Sequence, residues 1–440
     1  MTPMPQHRLR SAVNRSFLLL FFTSTFAGSL QAAAPPVPAG ATGWKVGTPI
    51  VTYWCGPAMT DAVATQMAEG GWNVVWCSER ELDVALRHGL RAQLTDPLLA
   101  PASLDDPKQR EKLDALIARV RVHPALYDYF ITDEPSAAQF AALGRLVAYL
   151  RELDPAHLAY INLFPTYANN EQLGNKGDVI TAYRAHLGQF VAEVKPALLS
   201  YDHYEFAVAG DNGDYFLNLA LIRQSALEAG LPFLNIVQAA TWTPSMRVPT
   251  PAELRYLIYT TAAYGGQGIS YYIYTCPNHT GGIATADGAP TPLYHALKIL
   301  NREFVALATQ LQPLRSLGVY HAGMLPPGAK PLPKEVPFAF DPPLPTANFA
   351  APQRAKGALL GCFGPSTAAN AAVSHVMVVN LDYLSETTFH LRGPAPLELY
   401  DPTQNKWTAL RAADTELRLP GGAGKLLRLA EAQALPTDKR

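Results

Sequence analysis

Two adjacent carboxyl groups, Asp133 and Glu134, follow an apolar and aromatic run at residues 126–131 and stand directly before Pro135. The run predicts a buried strand, so the pair lies at a strand end, where α/β barrels keep their chemistry. Two carboxyl groups in one pocket push each other's pKa values apart, and one can then serve as an acid at neutral pH. Because a residue before proline favours extended backbone, we expect Glu134 to be extended. The alternative is a surface turn in which Asp133 or Glu134 caps the next helix.

Eight apolar segments predict the strands that would position this pair. They lie at residues 49–54, 73–77, 91–95, 126–132, 158–164, 198–204, 232–237 and 268–274, and helical patterns occupy residues 61–69, 79–88, 106–120, 136–153, 178–194, 215–229, 251–264 and 293–311. Most of these strands are apolar on both faces, as parallel strands covered by helices must be. Eight strand–helix units in about 260 residues predict an α/β fold, the (β/α)8 or TIM barrel.

The composition changes after residue 314. Prolines cluster between residues 326 and 352, and short alternating segments follow at 358–363, 375–380, 387–391, 397–400, 416–419 and 425–429. Such segments, separated by turn residues, predict a small antiparallel β-sandwich. The predicted organisation is a signal peptide at 1–33, a catalytic barrel at 34–314, a proline-rich linker with the start of the C-terminal domain at 315–355, and the sandwich at 356–440.

The N-terminal residues predict export from a bacterial cell. Arg8, Arg10 and Arg15 precede an apolar stretch at 17–22, and small residues end at Ala33, as in a cleaved signal peptide. We therefore expect a secreted or periplasmic protein with no membrane span after cleavage. Loss of the three arginines takes the formal charge from −1 to −4, a balance that makes nucleic acid an unsuitable partner. The oligomeric state is left open.

Cysteine and motif content exclude several classes of chemistry. Cys55, Cys77 and Cys276 each close a predicted strand, and these strands would be neighbours in a closed barrel. One disulfide among the three is expected in an exported protein, with the pair undetermined. The His, Cys, Asp and Glu spacings form no metal-ligand pattern, and the glycine-rich phosphate loops are absent. The sequence therefore predicts neither a metal nor a cofactor.

The carboxyl ends of barrel strands converge on one site, so we consider the strand-end residues as a group. The predicted acid is Glu134, with Asp133 or Asp202 as the second carboxylate. The predicted substrate contacts are Tyr53, Trp54, Asn162, His203, Tyr204, Gln238, Trp242 and Tyr272. Each of these side chains has the alternative of ordinary packing in the core. Carboxylic acids, amide and phenol hydrogen bonds and aromatic rings are what hydrolysis of a glycosidic bond requires.

With these motifs, the chain resembles secreted glycoside hydrolases that combine a TIM barrel with a C-terminal sandwich. Residues 129–136 are similar to the strand-four motif of the clan that includes β-galactosidases, where Asn-Glu-Pro places the acid/base and Asp133-Glu134-Pro135 stands here. The tail is also similar, in Leu399-Tyr400-Asp401-Pro402, Trp407 and Gly421-Gly422. Classical members carry a nucleophilic glutamate at the end of strand seven, where this chain has Gln238.

An adjacent Asp-Glu pair instead resembles hexosaminidases with substrate-assisted catalysis, including a family of N-acetyl-β-galactosaminidases. That resemblance implies that Asp133 orients a 2-acetamido group, that Glu134 is the acid/base, and that Tyr204 holds the acetamido oxygen. A third option is inversion, with Glu134 as acid and Asp202 as base, which needs carboxyl groups roughly 6.5–9.5 Å apart.

Two functions from different classes remain open. The first is a glycoside hydrolase that acts on an oligosaccharide or polysaccharide substrate. The second is a non-catalytic carbohydrate-binding protein on a TIM-barrel scaffold, which Gln238 at the usual nucleophile position would favour, since a fold does not imply an activity.

Overall fold

Eight parallel strands form the centre of the molecule in the computed structural model, which describes residues 44–349, 354–365, 372–410 and 412–430. The strands β1–β8 are Ile50–Trp54, Val74–Cys77, Arg91–Leu94, Leu126–Asp133, Leu158–Leu163, Leu199–His203, Phe233–Gln238 and Gly268–Tyr272. Neighbours pair in chain order from β2 to β8, and β8 pairs with β1. The predicted signal peptide lies outside the described residues.

The barrel closes through a side chain at the seam between β1 and β2. The Asn73 backbone N–H donates to the Val51 carbonyl (3.0 Å), and the Asn73 Oδ1 accepts from the Val51 N–H (3.0 Å). Its Nδ2 also donates to the Pro49 carbonyl at 2.9 Å. One amide side chain thus substitutes for part of a strand ladder, and the predicted TIM barrel is confirmed.

Helices cover the outside of the barrel. The helices α1–α8 are Asp61–Glu69, Leu82–Arg87, Pro107–Val120, Phe140–Leu153, Val179–Gln189, Tyr215–Ala229, Pro251–Ala263 and Pro292–Leu311. Several starts carry strong capping signals; at α7, Thr250 and Glu253 form a capping box and Pro251 occupies the first turn. Within the described ranges, no helix is long and apolar enough to cross a membrane.

Alternation along the strands separates two cores. Side chains that point outward pack with the helices, whereas Ile50, Val74, Leu158 and Ile236 form a smaller apolar cluster inside the barrel. Towards the carboxyl ends, inward positions become polar, as at Asn162 and Asp202. The barrel is therefore apolar at its base and equipped for chemistry at its mouth.

The C-terminal region is an antiparallel sandwich. The strands β9–β16 are Leu314–Leu325, Gly357–Pro365, His375–Asn380, Thr387–Arg392, Leu397–Asp401, Lys406–Ala409, Asp414–Leu419 and Gly424–Leu429. The larger sheet has the order β9-β10-β11-β16-β13-β14, with Ala347–Asn348 beside β9, and the smaller sheet joins Ala339–Phe340, β12 and β15. Apolar side chains of both sheets form one core. The strands β9 and β14 were not predicted from the sequence.

The sandwich packs closely on α7. A Cβ at Gly361 of β10 would overlap the Ala263 carbonyl, so only glycine allows this approach. The Arg255 guanidinium donates to the Gly421 carbonyl at 2.6 and 2.8 Å. The Tyr383 hydroxyl donates to Asp211 at 2.8 Å. Polar contacts and backbone contacts together therefore fix the sandwich against the barrel.

Candidate active site

The carboxyl ends of β4, β5 and β6 bring Asp133, Asn162 and Asp202 together. The Asn162 Nδ2 donates to Asp133 Oδ1 and to Asp202 Oδ1, each at 3.0 Å. One amide nitrogen with two N–H groups therefore binds both carboxyl groups. The amide thus spaces two carboxyl groups that come from strands on either side of β5.

Further hydrogen bonds fix the orientation of the Asn162 amide. The Ser200 hydroxyl donates to Asn162 Oδ1 at 3.1 Å, and Ser200 is itself 2.7 Å from the Tyr160 hydroxyl. The amide oxygen is thereby assigned to the serine, and the nitrogen must face the carboxyl groups. Since an amide N–H stabilises a charged carboxylate, Asn162 opposes the pKa increases at Asp133 and Asp202.

Glu134 has a left-handed backbone conformation, with φ 43°. The prediction of extended backbone before Pro135 is therefore wrong. The reason is that the Glu134 N–H donates to the Asn162 carbonyl at 2.9 Å, which continues the β4–β5 ladder by one bond while the chain turns away. A non-glycine residue in this region carries about 1–3 kcal/mol of strain, and such residues cluster at functional sites.

Burial raises the pKa values of all three carboxyl groups, and repulsion by a neighbouring carboxylate adds to the increase at Glu134 and Asp202. For Glu134 the causes are desolvation, then the charges of Asp202 and Asp133 and a direct interaction with the Asp202 carboxyl, and they raise its pKa well above the usual range. Desolvation followed by the charge of Asp133 raises the pKa of Asp202 to about 7. At neutral pH, Glu134 therefore keeps its proton, as expected for the predicted acid.

Asp133 is in contact with solvent, although its carboxyl group is partly desolvated. Its side chain is exposed, yet the strand-end residues around it desolvate the carboxyl enough to raise its pKa to about 6. Asp202, by contrast, is 3% exposed. After desolvation, the charge and the carboxyl group of Asp202 raise the pKa of Glu134, so the two side chains are neighbours. The inverting pair of Glu134 and Asp202 stays a prediction.

Three aromatic rings stand beside the carboxyl groups and form what we call the aromatic wall: Tyr204, Trp242 and Tyr272. Their ring centroids are 4.8 Å (Tyr204–Trp242), 5.0 Å (Tyr204–Tyr272) and 4.9 Å (Trp242–Tyr272) apart. Trp242 is 38% exposed. The Tyr272 hydroxyl also contacts His279 Nε2 at 2.9 Å. His279 was not predicted as a site residue, because it belongs to a loop seven residues beyond Tyr272.

A second aromatic group lines the mouth of the barrel. Trp54, Trp76 and Phe130 pack against one another with centroids 4.9–5.5 Å apart, and all three are half-buried. Tyr167 is 46% exposed, and desolvation of its hydroxyl followed by the charges of Asp202 and Glu134 raises its pKa. Trp76, Phe130 and Tyr167 were absent from the predicted site, although each is an aromatic residue at or after a strand end.

Three predicted substrate contacts, Tyr53, His203 and Gln238, do not reach the mouth of the barrel. Tyr53 and His203 are fully buried and point outward, since each alternates with an inward residue, Trp54 and Asp202 respectively. His203 Nδ1 contacts Asn218 Oδ1 at 3.1 Å, and burial lowers its pKa to about 4.

Gln238 is also fully buried, although it lies on the inward side of β7. Its Oε1 accepts from the Phe206 N–H (2.8 Å), and its Nε2 donates to the Phe206 (3.1 Å) and Arg247 (2.7 Å) carbonyls. Both amide N–H groups are therefore engaged with two loops. The prediction that Gln238 binds substrate is corrected to a structural role.

A cavity of about 660 Å³ lies elsewhere, between the loop after β6 and the sandwich. Its central groups are already paired, since Arg247 bonds Glu253 (2.5 Å) and Asp211 accepts from Tyr383 (2.8 Å). The carboxyl groups instead lie at the mouth of the barrel, where Asp133 and Trp242 are exposed, and we place the candidate site there. Across the described ranges, no cluster of three or more His, Cys, Asp or Glu side chains is arranged to hold a metal ion.

Comparisons with known proteins give similarities of overall structure. No protein-family model matches the sequence, and no curated protein is significantly similar to it. Similar solved structures include a GH27 β-L-arabinopyranosidase from Geobacillus stearothermophilus (9% identity, 88% of this chain and 98% of that chain, TM-score 0.46). Others are a β-galactosidase from Halorubrum lacusprofundi (10% identity, 87% of this chain and 99% of that chain, TM-score 0.44) and a glucosidase from Croceicoccus marinus (11% identity, 88% of this chain and 98% of that chain, TM-score 0.43). These values are too low to place the chain in a family, so its chemistry has to be argued from its own residues.

Proposed function

We propose that this protein is a glycoside hydrolase. The observation that carries the proposal is the carboxyl cluster of Asp133, Glu134 and Asp202 at the strand ends beside the aromatic wall, where Asp133 is exposed to solvent. Cleavage of a glycosidic bond needs a proton on one carboxyl group and a negative charge on another. At neutral pH, mutual repulsion and burial keep a proton on one carboxyl group of the cluster while another carries a negative charge.

Glu134 is the general acid in this proposal. Its pKa is raised by desolvation and by two neighbouring carboxylates, so it can hold a proton at neutral pH and donate it to the leaving oxygen. Its left-handed backbone, fixed by Asn162, holds the side chain in a set direction. Positioning of this kind is what general acid catalysis requires.

Asp133 is the second carboxylate that faces substrate. It is exposed, whereas Asp202 is buried and engaged with Asn162 and Glu134. In this assignment Asp202 keeps the Glu134 pKa high, and Asp133 stabilises the positive charge that develops at the anomeric carbon. If the substrate carries a 2-acetamido group, Asp133 would orient that group and Tyr204 would contact it.

The charges of the site favour neutral sugars. Among the described residues, the groups with the largest effects on the pKa values of Asp133, Glu134 and Asp202 include no cation, and such surroundings disfavour an anionic substituent. The aromatic wall offers ring faces and edges for the C–H faces of a sugar. We propose a neutral or N-acetylated oligosaccharide or polysaccharide outside the cytoplasm as the substrate, in keeping with the predicted signal peptide.

The test is a product screen with the wild type and Glu134→Gln on a broad panel of oligosaccharides, polysaccharides and aryl glycosides. We expect release of sugar by the wild type and a loss of about 10²-fold or more in the variant. Glu79→Gln is the matched control, because Glu79 pairs with Arg119 on the surface. Full activity of Glu134→Gln would contradict its role, and the anomer released, read by proton NMR, separates retention from inversion.

Asp133→Asn separates the two candidate carboxylates. We expect a loss comparable to that of Glu134→Gln, with the fold intact by circular dichroism. If neither the wild type nor any variant released sugar while glycans bound to all of them, the carbohydrate-binding alternative would replace the hydrolase.

A further inference from the structure

Two cysteines meet at the seam between the first and last strands of the barrel. Cys55 follows β1 and Cys276 lies just after β8, 221 residues further along the chain, and their Sγ atoms are 2.6 Å apart. The Cys55 carbonyl accepts from the Tyr274 and Thr275 N–H groups at 3.2 and 3.3 Å. Backbone bonds therefore hold the two segments in register next to the sulfur atoms.

The other two cysteines have no comparable neighbour among the described residues. Cys77 is buried in the core between barrel and helices, and Cys362 is buried in the core of the sandwich. Cys55 and Cys276 are both half-buried, so an oxidant can reach them. We propose that Cys55 and Cys276 form a disulfide bond that braces the aromatic wall of the candidate site.

The bond would act on the wall through the loop at residues 275–282. In this loop His279 contacts the Tyr272 hydroxyl (2.9 Å), and Thr280 and Gly281 pair with Thr241 and Ala240. Trp242 follows directly. A cross-link at Cys276 therefore fixes a loop that touches two of the three wall residues, Tyr272 and Trp242.

The chemistry is ordinary thiol–disulfide exchange. The two thiols lose two protons and two electrons and form one S–S bond, and a small-molecule or protein disulfide is reduced to two thiols in return. An oxidising compartment, as the sequence predicts, supplies such an oxidant.

The first test counts and maps thiols and does not depend on the proposed function. Purified protein is equilibrated with oxidised glutathione, denatured, labelled with a maleimide and digested. We expect two labelled cysteines, Cys77 and Cys362, and a peptide that joins Cys55 to Cys276. Four labelled cysteines, or a bridge to Cys77, would overturn the proposal.

The second test measures what the bond does. Reduction should lower the Tm of the wild type by roughly 3–6 °C. It should leave the double variant Cys55→Ser/Cys276→Ser unchanged, while the matched control Cys362→Ala should stay sensitive to reduction. Equal sensitivity of the double variant would contradict the proposal.

The proposed bracing of the aromatic wall rests on the proposed hydrolase activity, and it is tested separately through KM and kcat. Reduction should raise KM for a cleaved glycan about 3-fold or more, with kcat changed less than 2-fold. A mapped disulfide whose reduction leaves KM unchanged would refute the bracing, while an inactive protein with the mapped bond would refute only the hydrolase.

Discussion

Replacement of Asp202 by Asn should make the protein more stable at alkaline pH and less competent as an acid catalyst. The side chain keeps its size, and its amide oxygen can still accept from Asn162 Nδ2. What it loses is the buried charge that repels Glu134 and Asp133. The variant therefore isolates the electrostatic cost of the carboxyl cluster.

The size of the effect follows from the pKa of Asp202. An ordinary aspartate has a pKa of 3.8, whereas Asp202 is raised to about 7. Between these values the folded protein binds more protons than the unfolded chain, so the free energy of unfolding falls as the pH rises through this window. A shift of about three units corresponds to about 4 kcal/mol, and shared titration with Glu134 reduces this to about 2–4 kcal/mol.

The assay is thermal unfolding at pH 5 and at pH 8. For a chain of about 400 residues, the unfolding entropy near 0.8 kcal/mol/K converts this stability into a Tm increase of about 3–5 °C at pH 8. At pH 5 both folded proteins carry a neutral group at position 202, but the unfolded wild-type chain is already ionised there, so the difference should be less than half of that at pH 8. A variant that is no more stable than the wild type at pH 8 would refute the reasoning.

The same variant should also move the alkaline limb of the pH profile of kcat/KM. Without the charge of Asp202, the pKa of Glu134 falls, so the acid loses its proton at a lower pH. We expect the alkaline limb of kcat/KM to shift down by about one unit or more. An unchanged limb together with reduced kcat would mean that another group supplies the proton.

Three further substitutions test other parts of the site. Asn162→Leu removes the hydrogen bonds that favour charged Asp133 and Asp202, so the acid limb of kcat/KM should move up by about one unit, measured from initial rates between pH 4 and 9. Trp242→Ala should raise KM about 10-fold with kcat nearly constant, since in the proposed site the exposed ring would contact the substrate and not the reacting bond; an equal loss in kcat would contradict this. Gln238→Leu should lower Tm by several degrees because it leaves Phe206 and Arg247 backbone groups unpaired, and binding of substrate should be unaffected.

The barrel could be predicted because its strands are buried on both faces. Runs such as residues 158–163 are apolar whatever lies beside them, and the helices between them carry their own caps. The strand β9 escaped prediction because it is long, half-buried and interrupted by glycines, so it shows neither a continuous apolar run nor a clear alternation.

The site was predicted only as far as local sequence determines it. That chemistry gathers at strand ends follows from the fold, and the acidic pair of β4 marks one such end. Which of two consecutive residues points inward does not follow, and therefore Tyr53 and His203 were assigned to the wrong face. Gln238 is engaged by two loops from elsewhere in the chain, and His279 reaches Tyr272 across a loop; both depend on tertiary contacts.

The position of α7 determines how the protein melts. Ten of its thirteen residues are buried, because the barrel covers one side of the helix and the sandwich strands cover the other. Loss of the sandwich would therefore expose Tyr256 and Tyr259, and loss of the barrel would remove the surface on which Gly361 and Gly424 lie. We therefore expect neither folded region to unfold on its own, and calorimetry should record one cooperative transition for both. A chain cut after residue 313 should aggregate and should not yield a free barrel.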